Sequence, residues 1–70
     1  MSAEHLAPNK HRYNLLTELH DRVEDLDIYR GYLAEAQKDS DDQWIAVWQR
    51  LIEDAEREVE YMRSEVERRS

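Results

Sequence analysis

The chain has 70 residues, with 17 acidic and 10 basic side chains, one glycine, one proline and no cysteine. The absence of cysteine excludes disulfide bonds and thiol catalysis, and the formal net charge of -7 disfavours contact with nucleic acid or anionic lipid. No stretch approaches the ~20 consecutive apolar residues that cross a bilayer. We therefore expect a cytoplasmic, helix-rich protein that binds neither nucleic acid nor membrane.

The first predicted element is a helix over residues 8–37, which follows a flexible tail over residues 1–7. Pro8 suits the first turn of a helix, because its missing N–H would have no partner there. Gly31 interrupts the helix at a cost of ~1 kcal/mol relative to alanine, and a close approach of a second helix, a local bend or simple exposure would each explain it. Apolar residues recur every three or four positions and so form one stripe on the helix: Leu16, Leu19, Val23, Leu26, Tyr29 and Leu33.

A polar turn over residues 38–40 separates this helix from a second one over residues 41–69. Ser40 and Gln43, three residues apart, have the form of a capping box at the start of the second helix. The apolar residues of this helix alternate between spacings of three and four without a break, which is the heptad pattern of a helix that packs along another helix: Ile45, Trp48, Ile52, Ala55, Val59, Met62 and Val66.

These elements predict an all-α fold, an antiparallel two-helix hairpin, because a turn of a few residues returns the chain antiparallel. A lone hairpin of this length encloses little core, and Trp44 and Leu51 make the apolar face of the second helix wider than one partner helix covers. We therefore expect two hairpins to pair into a four-helix bundle, as a homodimer or a larger even-numbered oligomer. The expected interface residues are Leu19, Val23, Leu26, Trp44, Trp48, Leu51, Ile52, Ala55, Val59, Met62 and Val66.

Chemistry-bearing patterns are few in this sequence. No serine or threonine lies in a glycine elbow, and no glycine-rich loop could hold a phosphate, so we expect no catalytic residues. Metal binding has one candidate on the first helix, where His20, Glu24 and Asp27 occupy positions i, i+4 and i+7. Imidazole and carboxylate ligands suit iron, manganese or zinc. Arg30 continues the same side of the helix, so a surface ladder of ion pairs is the alternative interpretation.

Two segments resemble the helices of the encapsulated ferritin family: the run VEDLDIY over residues 23–29 and the run DAEREVEYM over residues 54–62. Members of that family are short hairpins that complete a four-helix bundle and a di-iron site only by association between chains, and they act as ferroxidases inside encapsulin shells. The resemblance implies that Glu24 is an iron ligand with Tyr29 beside it, and that Glu56 opens a Glu-x-x-His pair. Val59 stands where the family has the histidine, so the implied ligand set lacks one member.

Three hypotheses for function follow. The first is a non-enzymatic, self-associating hairpin that needs no cofactor. It would act through protein–protein contact as an adaptor, regulator or assembly component. Trp44 and Trp48 would then pack in the bundle or anchor a partner protein. The second, implied by the resemblance, is a half-bundle that binds or oxidises iron, or binds another divalent metal. Its ligands would be Glu24 and Glu56, together with either His20 or Asp27. An encapsulating shell would be its partner. The third is an acidic mimic of nucleic acid that inhibits a basic protein.

Overall fold

The computed structural model describes the backbone of residues 3–69 and the side chains of residues 10–69. It confirms the all-α class: within the described backbone there are two helices, α1 (Ala3–Lys38) and α2 (Asp42–Arg68), and no strand. Tyr32, close to the turn, contacts Trp48, and Arg22, farther from the turn, pairs with Glu58, so the two helices run antiparallel. The resulting hairpin is 59 Å long and 16 by 12 Å across. Among the described residues, neither helix is long and apolar enough to cross a membrane.

The first helix begins earlier than the sequence predicts. Residues 3–7 were expected to be a flexible tail, but their backbone is helical, and Pro8 therefore lies inside α1 rather than in its first turn. Alanine, glutamate and leucine are strong helix formers, and this segment contains Ala3, Glu4, Leu6 and Ala7, whose propensity favours extending the helix past the proline. The first two residues of the expected tail lie outside the described residues.

The turn spans residues 39–41, one residue later than predicted, and its capping differs from the expected box at Ser40. Ser40 has a left-handed backbone (φ 55°); its N–H donates to the carbonyl of Gln37 (3.1 Å), and the N–H of Asp41 donates to the carbonyl of Ala36 (3.0 Å), which is a Schellman motif closing α1. Asp41 is the N-cap of α2, because its carboxylate accepts the N–H of Trp44 (3.3 Å). The predicted cap at Ser40 is wrong, since a left-handed residue terminates the first helix there.

The left-handed backbone at Ser40 gives a first prediction. Glycine adopts this conformation without the steric cost that a Cβ atom brings, so Ser40→Gly is expected to raise the free energy of unfolding by about 0.5–1 kcal/mol. Urea unfolding followed by circular dichroism measures the change. Ser40→Ala is the control, because alanine keeps the Cβ atom; an equal gain in both variants would contradict the explanation.

The seam of α1 that faces α2 differs in register from the predicted stripe. Leu16 and Val23, both in the predicted stripe, are 37% and 38% exposed. Arg12 and Arg22 are half-buried at seam positions, where the aliphatic stem of an arginine can cover apolar neighbours while its charged end reaches outward. The buried and half-buried residues on this seam alternate between spacings of three and four: Arg12, Leu15, Leu19, Arg22, Leu26, Tyr29, Leu33 and Ala36.

The core lies between the two seams and is one side chain thick. Leu26 from α1 packs with Ile52 and Val59 from α2, and half-buried apolar residues surround these three. The α2 seam follows the predicted heptad, with Met62 and Val66 also buried. None of the described side chains is less than 2% exposed. Two helices thus cover each other on one stripe only and leave the other sides of each helix in solvent.

Gly31 lies within continuous helix and faces open space, since a Cβ atom built on it would meet nothing within 4 Å. Neither a close helix approach nor a bend explains it, and simple exposure does. Gly31→Ala is therefore expected to stabilise the fold by about 1 kcal/mol through helix propensity. Thermal unfolding measures the gain, and Ala34→Gly, at another exposed position of α1, should lose a similar amount. A loss of stability in Gly31→Ala would show that the fold needs the open space beside Gly31.

Candidate functional site

Two ion pairs between the helices mark the two sides of the hairpin. The guanidinium of Arg22 pairs with Glu58 on one side, and Arg30 donates to Glu56 (3.1 Å) on the other. Glu56 and Glu58 are two positions apart, about 200° around α2, so they flank the α2 seam from opposite directions. We call these the Glu58 side and the Glu56 side of the hairpin.

The Glu58 side has an apolar surface next to the turn. Tyr32 and Trp44 line a groove there together with three carboxylates, and Leu51 lines a second groove of the same side, whose walls also include Glu58. The three carboxylates belong to Glu35, Asp39 and Asp41. Helical spacing of three and four places further apolar residues between these positions on the same side. We name this surface the aromatic face; its members are Ile28, Tyr32, Trp44, Val47 and Leu51, each between 39% and 54% exposed.

Trp48 forms the floor of the aromatic face. Its ring lies 4.9 Å from the ring of Tyr32 and 5.7 Å from that of Tyr29, centroid to centroid, both in tilted geometry that favours aromatic pairs. Trp48 is half-buried, whereas Trp44, one helical turn earlier, is 54% exposed. The two tryptophans therefore differ: Trp48 holds the two helices together, and Trp44 presents its indole to solvent.

Charged side chains line the groove that contains Leu51. Asp25 and Asp54 line the groove between the helices, with Arg22 and Glu58 farther from the turn. Tyr61, three residues past Glu58, is 65% exposed. Carboxylates therefore line both grooves of this side, next to the turn as well as toward the open end.

The Glu56 side carries no comparable apolar surface among its described side chains. The exposed apolar and aromatic side chains of α1 here are Tyr13, Leu16 and Val23, and Arg30 lies seven residues beyond Val23 at the same helical position. The side chain of Arg30 bonds both Asp27 (3.4 Å) and Glu56 (3.1 Å). Charged pairs therefore interrupt the apolar residues of this side.

The four predicted metal ligands are not brought together within one hairpin. Asp27 and Glu56 converge on the guanidinium of Arg30. His20 lies 3.9 Å from Glu24 and, with Asp21, can offer three ligand atoms within 4.8 Å of one another, all on exposed side chains. These contacts are those of the surface ladder that the sequence offered as the alternative. Val59 is buried in the core.

Glu65 forms ion pairs with two arginines near the C-terminal end of α2. Its carboxylate accepts from Arg68 (3.1 Å) and Arg69 (2.8 Å), and its side chain is 16% exposed. The hydrogen bond from Arg68 is the main cause that lowers the pKa of Glu65 below its ordinary value, and the charges of both arginines add to it. A carboxyl whose pKa is lowered by folding stabilises the folded state above its unfolded pKa, and this contribution is lost as pH falls through the lowered value.

Removal of the Glu65 carboxylate should therefore lower the stability of the fold only at pH values at which it is ionised. Glu65→Gln is expected to lower the thermal midpoint near neutral pH and to have a shrinking effect as pH falls below the ordinary carboxyl range of about 4. Thermal midpoints measured across pH for both proteins give the difference. Glu67→Gln, at an exposed neighbour, is the control, and a difference that persists unchanged into acid would contradict the assignment.

Comparison with known proteins adds no relative: no family model matches the chain, and neither the curated proteins nor the solved structures contain a match. The resemblance to the encapsulated ferritin family therefore stays a prediction. The aromatic face is the most distinctive feature of the described hairpin.

Proposed function

We propose that this chain is a non-enzymatic protein that associates with itself through the aromatic face, two hairpins forming a four-helix bundle, and that it acts as an adaptor, regulator or assembly component through protein–protein contact. The observation that carries the proposal is the surface the hairpin leaves exposed. A second copy is the occupant that this surface fits in both area and position.

The exposed area is larger than a folded monomer of this size needs. A compact protein of 8.5 kDa exposes about 4,650 Å², whereas the hairpin exposes 5604 Å². The excess of about 950 Å² is close to the roughly 800 Å² that each partner contributes to a standard protein–protein interface.

The position of the apolar residues supports the same conclusion. Single exposed apolar residues are normal on any protein, but contiguous apolar surfaces mark interaction sites. The five members of the aromatic face lie three or four residues apart along each helix, and they include Trp44 and Tyr32, the residue types that contribute most binding energy at interfaces. The Glu56 side presents Tyr13, Leu16 and Val23, and the Arg30–Glu56 ion pair lies on the same side.

Multi-angle light scattering after size-exclusion chromatography tests the proposal. We expect twice the 8.5-kDa chain mass at high protein concentration, with a thermal midpoint that rises with concentration, because association stabilises the folded state by mass action. A helical protein that stays at the mass of one chain, with a midpoint independent of concentration, would overturn the proposal.

A further inference from the structure

The groove next to the turn combines aromatic rings with carboxylates. Two of its rings, those of Tyr32 and Trp48, lie 4.9 Å apart, centroid to centroid, and are tilted by 47° to each other. The indole of Trp44 is a third ring of the same groove. Aromatic surface and negative charge are therefore within reach of one occupant. The carboxylates that line the groove belong to Glu35, Asp39 and Asp41.

These three carboxylates differ from others in the hairpin because no basic side chain pairs with them. Six arginines form ion pairs in the described part of the chain, and all six pair with acids outside this groove. Asp41 accepts the backbone N–H of Trp44 (3.3 Å), and among residues 10–69 neither Glu35 nor Asp39 forms a side-chain hydrogen bond. The groove thus carries three formal negative charges and, among its described lining residues, no positive one.

An arginine side chain is complementary to both features of the groove. A guanidinium stacks on aromatic rings, donates paired hydrogen bonds to carboxylates, and loses its water more readily than the ammonium of lysine. An apolar occupant would cover the carboxylates without giving them a hydrogen bond. The groove has a volume of about 190 Å³, below the roughly 300–1,000 Å³ of small-molecule sites, so it suits the end of one side chain.

We propose that this groove binds an arginine side chain presented by another protein. The equivalent groove of a second copy is a poor occupant, because two such grooves facing each other bring like charges together. Ile28, Val47 and Leu51 of the aromatic face do not line this groove, so self-association over them is a separate contact. The inference adds a partner to the proposed function and does not rest on self-association.

Nuclear magnetic resonance titration tests the proposal with a short glycine–serine peptide that carries one arginine. The chain has two tryptophans, and both line the groove, so their indole N–H signals report on its occupant. The arginine peptide is expected to shift both signals saturably. Citrulline, the uncharged counterpart of arginine, should raise the dissociation constant at least about tenfold, and lysine should also bind more weakly than arginine. Equal binding of the arginine and citrulline peptides would overturn the proposal.

Variants of the protein locate the binding in the groove. Glu35→Gln combined with Asp39→Asn removes two of its carboxylates and should weaken binding of the arginine peptide at least about tenfold. Glu53→Gln combined with Glu60→Gln removes the same charge from exposed positions outside the groove and should change binding less than about twofold at physiological salt. Trp44→Leu keeps an apolar side chain but should weaken binding through loss of the ring. Equal loss in the two double variants would overturn the assignment to the groove.

Light scattering on the same samples separates this proposal from self-association. A chain that stays at the mass of one copy yet binds the arginine peptide overturns self-association and supports the arginine groove. A dimer whose indole signals move with none of the peptides overturns the arginine groove and leaves self-association standing. Indole signals that move on dilution of the protein, and not with peptide, would place a second copy in the groove and overturn the proposal.

Discussion

Leu51→Lys is expected to separate the dimer into monomers and to raise its dissociation constant by at least about thirtyfold. Leu51 is 39% exposed in the hairpin and belongs to the aromatic face, which the proposed self-association covers. A lysine there would have to lose its water or hold the two surfaces apart, because it replaces an apolar side chain that the interface covers. Sedimentation equilibrium over a range of concentrations measures the dissociation constant.

The matched control for this substitution is Leu16→Lys. Leu16 is 37% exposed, the same residue type at nearly the same exposure, but it lies on the Glu56 side. Both variants add one positive charge to a chain of net charge -7, so a general electrostatic effect would move both alike. Circular dichroism should show both monomers still helical, because neither position contributes to the buried core. Equal weakening of the dimer by the two variants would contradict the assignment of the interface to the aromatic face.

Much of the fold could be predicted from the sequence, because the pattern on α2 is unambiguous. Its heptad runs unbroken, and four of its members, Ile52, Val59, Met62 and Val66, are buried as a seam requires. The register of α1 could not be predicted in the same way. A pattern of apolar residues cannot show that Arg22 occupies a seam position, because an arginine there contributes its stem and not its charge.

The aromatic face contains two of the residues that the sequence predicts at the interface. Trp44 and Leu51 stood out in the sequence because they flank the α2 heptad, and they belong to the aromatic face. Ile28, Tyr32 and Val47 were missed, although their spacing of three and four from groove-lining positions was a usable signal. The sequence could not show which flank of α1 lies beside Trp44. That placement depends on the register of the two helices, which the turn and Ser40 set.

The predicted metal ligands show the same limit. Asp27 and Arg30, three residues apart, pair as a local rule predicts. The attachment of Glu56 to Arg30 joins two helices, and no rule that counts residues along one helix can give it. Such a pairing requires the antiparallel register, which places equivalent flanks of the two seams beside each other. The sequence therefore predicts ion pairs within one helix, but not ion pairs that join the two helices.

Leu26→Ala is expected to have the largest effect on stability. Leu26 is 5% exposed and is the member of the central apolar cluster that α1 supplies to Ile52 and Val59. Truncation of a buried leucine costs about 2–5 kcal/mol, which is comparable to the roughly 3–5 kcal/mol that the core of so small a domain provides. The variant should therefore be largely unfolded at 25 °C, with most of its helical signal at 222 nm lost, because separate helices in water are only marginally stable.

Leu16→Ala provides the comparison for Leu26→Ala, since it removes the same atoms from a position that is 37% exposed. Its cost should stay below about 1 kcal/mol, measured by urea unfolding at a fixed protein concentration so that association contributes equally to each protein. If the two variants were equally stable, the apolar cluster around Leu26 would not be what holds the helices together. If Leu26→Ala unfolds at low concentration and recovers helix at high concentration, the partner subunit supplies the stability that one thin core lacks, and folding and association are then a single event.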